Sequence, residues 1–182
     1  MKHLRLQGEM VRLEALNSDT DKEVIARWSA VPGSWRLLDA LHGWHRPAMD
    51  TDQPVNNVGF RIHALNASGP IGHAGLFGIC WPHHEAWLDI KLDDRAHWEG
   101  HYGPDALRVI LRYGFDGLGL RRVAIGVFDY DARIMRVLEE AGFTIEGRML
   151  DEADHGAHVR AGLVMGIRRE AWRGIRGAGS VE

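Results

Sequence analysis

The sequence predicts an α+β domain, and three patterns carry that prediction. Three alternating, strand-like runs between residues 60 and 92 are joined by short turns. Two stretches with helical spacing then bracket one short apolar run. Two further strand-like runs follow before the end of the chain. Consecutive strands joined by tight turns pair antiparallel, and helices kept apart from such a run define the α+β class.

In chain order, MVRLEAL (Met10 to Leu16) alternates apolar and polar residues, as a half-buried strand does. Asn17, Ser18 and Asp19 offer caps for a helix over DKEVIARWSA, whose Val24, Ile25 and Trp28 share one face. Residues 31 to 57 contain Pro32, Pro47 and Pro54 and read as one short helix plus loops. FRIHAL (Phe60 to Leu65) alternates again, and Asn66 to Pro70 supply a turn. IGHAGLFGICW (Ile71 to Trp81) is the next strand, broken by Pro82, His83 and His84 before EAWLDIKL (Glu85 to Leu92). These three runs form an antiparallel meander.

Ala106, Val109, Ile110 and Tyr113 follow helical spacing. RVAIGVF (Arg122 to Phe128) is a strand. Ala132 to Ala141 is a helix with Ile134, Val137, Leu138 and Ala141 inward, stopped by Gly142. Phe143 to Met149 and Val159 to Ile167 supply the last two strands. A single domain over residues 1–172 accounts for the pattern, and the tail from Arg173 to Glu182, with three glycines, is expected to fray.

The bulk numbers exclude several functional classes. A net charge of −3 gives no electrostatic reason to expect a nucleic-acid partner. No run approaches the roughly 20 apolar residues of a membrane span, so no membrane partner is expected. The one cysteine, Cys80, forms no internal disulfide and suits a reducing cytoplasm; set among apolar residues, it reads as core. Histidines cluster at His83 and His84, at His97 and His101, and at His155 and His158. No CxxC pattern accompanies them, so no metal is expected.

One stretch points to chemistry. Trp98 to Phe143 contains a glycine-bearing turn that opens a helix, then a strand, then a second helix. Free backbone N–H groups and the positive end of a helix dipole converge at such a turn, which suits it to phosphate.

The order of parts resembles the GNAT acetyltransferase superfamily, and most closely its Rim-type branch of ribosomal-protein N-terminal acetyltransferases. GEMVRLEAL resembles the first strand of those enzymes, and IGHAGLFGICW with AWLDIKL their central hairpin. HYGPDALRVILRYGF, LEEAGFTIEGR and VMGIRREAW match the glycine-turn helix, the last helix with its strand, and the closing strand. The resemblance implies a GNAT fold with a mixed, mostly antiparallel sheet and helices on both faces. It also implies acetyl-CoA as acyl donor, a small-molecule or peptide amine as acceptor, direct transfer in a ternary complex, and a homodimer.

Carried onto this chain, the resemblance places the pantetheine arm along the strand edge at Asp89, Ile90, Lys91 and Leu92. The pyrophosphate falls on the backbone of Gly100, His101, Tyr102, Gly103 and Pro104. Asp131, Arg133 and Arg136 come from the last helix: Asp131 is a cofactor contact or simply an N-cap, and the two arginines contact the nucleotide end of CoA or form a solvated face. Trp35 and Trp44, beside His42 and His45, fall in the segment that covers the acceptor. Candidate bases for the acceptor's proton are Asp89, Glu85 and His84, whose alternative role is that of solvated strand ends; His73 and Tyr130 are weaker candidates. Several positions depart from the family's pattern. His101 stands where it writes Gly, Asp131 where it often has Asn, and Trp87, a candidate acceptor contact, where it often has a carboxylate. Leu138 and Ile134 stand where a Tyr or Ser donates a proton to the leaving thiolate. The alternative is therefore a catalytically degenerate domain that binds CoA or another ligand as a sensor or interaction module.

Overall fold

The alternation seen in the sequence becomes a sheet of seven strands. The computed structural model describes residues 6–16, 57–99, 101–129, 131–151 and 160–178. The expected helix after residue 17, the segment 31–56 with Trp35, Trp44, His42 and His45, and Gly100, Tyr130, His155 and His158 lie outside the described residues. The strands are β1 (Val11–Ala15), β2 (Val58–Ala64), β3 (Pro70–Cys80), β4 (Glu85–Leu92), β5 (Arg122–Phe128), β6 (Thr144–Asp151) and β7 (Arg160–Arg168). Their order in the sheet is β1-β2-β3-β4-β5-β7-β6. The helices are α1 (Arg95–Glu99), α2 (Tyr102–Arg112), α3 (Ala132–Glu140) and α4 (Arg169–Ala178). No helix among the described residues is long and apolar enough to cross a membrane.

The chain divides into two compact units. The first comprises Met1–Leu16, Val55–Ala124 and Ile167–Glu182. It holds the meander β1 to β4, paired antiparallel throughout. One face of this meander is apolar: Val11, Leu13, Phe60, Ile62, Ala74, Leu76, Ala86, Leu88, Ile90 and Leu92 are all buried. The other face is polar, and one rung runs straight across it from Glu14 through Arg61 and His73 to Lys91. The period of two places both sets without conflict.

Gly72 is the point of closest approach in the hairpin. A Cβ there would overlap the carbonyl oxygen of Lys91 and stand 2.9 Å from Leu92 Cα. Both neighbours are main chain and cannot rotate away. Gly72→Ala is expected to cost about 2–3 kcal/mol, as overpacking does in a well-filled interior, read as a lowered midpoint in urea unfolding.

Helix α2 presents Ala106, Leu107, Val109, Ile110 and Leu111 to the core. It continues into a π-helical turn over Tyr113–Gly117, closed by Leu118 N donating to Tyr113 O at 2.9 Å. Such a turn leaves carbonyls without helical partners. Arg169 supplies donors: its Nε donates to Leu120 O at 2.8 Å and its Nη2 to Phe115 O. The REAW run that ends VMGIRREAW is therefore the start of α4 rather than strand, and its Trp172 is buried against Phe115 at 6.0 Å. The chain is helical from Arg169 through Ala178, and buried Trp172 anchors the first turn.

The second unit comprises Asn17–Pro54 and Ile125–Gly166. Within it α3 starts at Asp131 and ends before Gly142, whose φ of +92° is the left-handed stop expected after a helix. Leu138 and Phe143 are its buried anchors, whereas Ile134 and Val137 are only half-buried. Strands β6 and β7 pair antiparallel, with a register shift between Ile145 and Gly147.

Candidate functional site

Strand β4 changes character halfway along. Its first three residues pair in parallel with β5, as Glu85–Arg122, Ala86–Val123 and Trp87–Ala124. From Leu88 to Leu92 it remains paired to β3, but its other edge has no ladder partner among the described residues. That edge presents unpaired N–H and C=O groups, which an extended amide chain can use without particular side chains. Asp89, Ile90, Lys91 and Leu92 all lie in this stretch.

The three candidate bases separate along the strand. His84 sits in the turn before β4 with φ 56°, and its carbonyl accepts from Arg121 N and Arg122 N at 2.6 and 3.3 Å. Glu85 accepts from Arg122 Nη1 at 3.1 Å and is half-exposed. Asp89 lies four residues further, roughly 13 Å along an extended strand. It is 7% exposed, so it is not a solvated strand end. His73 Nε2 approaches its Oδ2 at 2.8 Å, with both side chains buried. Of the three, only Asp89 is both buried and on the open-edged half of β4.

Trp87 and Lys91 flank Asp89 on the same face of the strand, each half-buried. Burial pushes the Lys91 ammonium below its ordinary pKa, against the carboxylates of Asp89 and Asp93, which push it up. Lys91 remains the cationic neighbour of this stretch.

The helix start that the sequence offered to phosphate is built by α1 and α2. His101 precedes α2 with φ 66° and ψ −1°, in the left-handed region, and no side chain caps the helix. The positive φ thus falls on histidine, a strained choice beside glycine. Asp105 N donates to His101 O at 3.1 Å, closing the first turn and leaving the amides of Tyr102 and Gly103 ahead of it. Pro104 brings no N–H and is pre-set for a first turn. Tyr102 is held by its ring: its hydroxyl exchanges hydrogen bonds with the Asn66 amide at 3.0 and 3.2 Å, and His97 meets it edge-on at 5.5 Å.

Gly103 owes its identity to Trp98 rather than to a turn. A Cβ there would overlap the Trp98 indole. Gly103→Ala is expected to displace that ring and tilt the helix start at a cost of about 1–3 kcal/mol, read as a lowered midpoint in urea unfolding.

The remaining candidates lie in the second unit. Asp131 caps α3, its Oδ1 accepting from Ile134 N at 3.3 Å. Arg136 Nε pairs with Glu140 at 2.9 Å one turn on, and Arg133 is exposed. His73, a weaker candidate by sequence, is buried against Asp89 in a contact that joins two strands, and no local motif announces it.

An open-edged strand ahead of an uncapped helix start is matched by wider comparison. The family model described as "Acetyltransferase (GNAT) domain" matches residues 9–144. The uncharacterized N-acetyltransferase YoaA of Bacillus subtilis (strain 168) is 25% identical over 95 residues, 52% of this chain and 53% of its own. The chain thus spans about half the length of the curated relative it matches. Among solved structures, a chimera of spermidine N-acetyltransferase SpeG from Vibrio cholerae and hSSAT superposes with a TM-score of 0.68 at 20% identity, covering 91% of this chain and 99% of that one. The Vibrio cholerae enzyme in complex with CoA and spermine gives a TM-score of 0.67 at 20% identity, covering 90% and 98%. These structural likenesses establish a shared fold, and the family match establishes membership: the chain belongs to the acetyltransferase (GNAT) domain family.

Proposed function

We propose that this protein is an acetyl-CoA-dependent N-acetyltransferase acting on a primary amine. The observation that carries the proposal is the open edge of β4 from Leu88 to Leu92, with buried Asp89 in its middle. The residues present suit the donor. The amides and carbonyls of Asp89 to Leu92 would pair with the pantetheine arm, and the amides of Tyr102 and Gly103 would hold the pyrophosphate. Acetyl-CoA supplies an activated acyl group whose C–S bond breaks as the amine nitrogen bonds to the carbonyl carbon. Asp89 accepts the proton that the amine gives up. Holding donor and acceptor side by side on one strand supplies much of the rate, so transfer tolerates Ile134 and Leu138 in place of a hydroxyl acid.

The sequence resemblance to the Rim-type branch supports a peptide N-terminus as one acceptor, beside an amino sugar or a small metabolite. The fold neighbours named for spermidine add a polyamine to the set to be tried. Titration calorimetry with acetyl-CoA tests the donor: no binding at about 1 mM ligand, where affinity is already only about −4 kcal/mol, removes the enzyme reading. Thiol release across peptides with free N-termini, polyamines and amino sugars then tests transfer. Binding without thiol release from any of them favours the degenerate, ligand-binding alternative, which the hydrocarbon side chains of Ile134 and Leu138 motivate.

A further inference from the structure

The contact between His73 and Asp89 is more than strand packing requires. His73 lies opposite Lys91, and Asp89 lies opposite Gly75. Gly75 carries no side chain, so the imidazole reaches diagonally along the strands to the carboxylate, Nε2 to Oδ2 at 2.8 Å. Both side chains are 8% exposed. Burying a carboxylate is costly, and a well-packed apolar pair in such a place is often as stable or more so. The neighbouring positions on the apolar face of β4, Leu88 and Ile90, show what the fold alone uses. A buried imidazole–carboxylate pair on the open-edged half of the strand is a proton-handling arrangement.

We infer that His73 and Asp89 act as one unit, in which His73 is a positioning residue for Asp89. Nε2 carries the ring proton and donates to Oδ2, fixing the carboxylate rotamer and leaving Oδ1 to take the acceptor's N–H proton. The amine nitrogen's bonding pair to that hydrogen stays on nitrogen as the N–C bond forms. The C–S electron pair leaves with the thiolate, which takes a proton from solvent. This inference rests on the acetyltransferase proposal and deepens it.

The test compares His73→Phe, which keeps a ring and removes the donor, with His73→Gln, which keeps an N–H donor. In thiol-release assays His73→Phe is expected to lower kcat on the order of 10- to 100-fold, the scale of a misplaced reacting group. Its KM for acetyl-CoA should stay within about twofold, since the donor is held by main chain. His73→Gln should recover most of the loss, and the double variant with Asp89→Asn should be no slower than Asp89→Asn alone. An active wild type with His73→Phe equally active, or losses that multiply in the double variant, overturns the inference and leaves the acetyltransferase proposal standing. A wild type that binds acetyl-CoA and turns over no amine overturns both. Should the Phe variant fail to fold, a long-range 1H–15N spectrum of the wild-type imidazole decides: a proton on Nε2 supports the pairing, and a bare Nε2 overturns it.

Discussion

Asp89→Asn is expected to lower kcat for acetyl transfer by about 10²–10⁴-fold, the usual contribution of a positioned base. The substitution is nearly isosteric, so His73 keeps an oxygen to donate to and the hairpin keeps its shape. Proton acceptance is what disappears. Binding of acetyl-CoA should change little, because the groups proposed to hold it are main-chain amides and carbonyls of β4 and α2. Glu85→Gln serves as the comparison. Glu85 is tied to Arg122 at 3.1 Å in the paired half of β4, and its replacement should leave kcat within about threefold, as surface ion pairs contribute little. Steady-state thiol release measures both. A loss in Glu85→Gln equal to that in Asp89→Asn would remove Asp89 as the base.

The largest expected effect on stability belongs to Asp105. Its carboxylate is 2% exposed, and Oδ2 accepts from Met10 N at 2.7 Å and from Val11 N at 3.0 Å. Those bonds tie the start of β1 to the first turn of α2, where a negative charge also suits the helix dipole. Gly8 lies directly against the carboxylate: a Cβ there would overlap both oxygens. Asp105→Ala leaves two main-chain donors without an acceptor, one of them on fully buried Val11. At about 1–3 kcal/mol for each stranded group, the expected loss is about 2–5 kcal/mol, a large part of a domain's stability. Both bonds converge on one oxygen, which an amide can reproduce, so Asp105→Asn should cost only about 1 kcal/mol. Urea unfolding gives both values. A loss below about 1 kcal/mol in the alanine variant would show that water reaches these amides.

Much of the fold was legible because its signals are local. The alternation in EAWLDIKL gives β4 its bounds without error, and RVAIGVF does the same for β5. Asp131 and Gly142 mark the ends of α3 by capping chemistry that acts within a turn or two. The helix at the C-terminus has an equally plain cause. Three glycines after Arg173 argue against a helix by propensity, and the burial of Trp172 on Phe115 overrides them. The π-helical turn was also hidden, since Tyr113 continues the helical spacing and only the Leu118 bond reveals the wider ladder.

The candidate site divides along the same line. The sequence by itself determined which segments would be strands and helices, where a helix would start after a glycine-bearing turn, and which family the order of parts resembles. Periodicity and capping depend on neighbours a few residues apart, so one chain suffices to read them. Only the tertiary structure decided that, among the described residues, β4 has an open edge from Leu88, that Asp89 is buried while Glu85 is paired, and that His73 is its partner. Those facts depend on strand register, and Asp105 reaches amides 94 and 95 residues away. Pairings over such distances are fixed by packing of the whole unit, and no local pattern carries them.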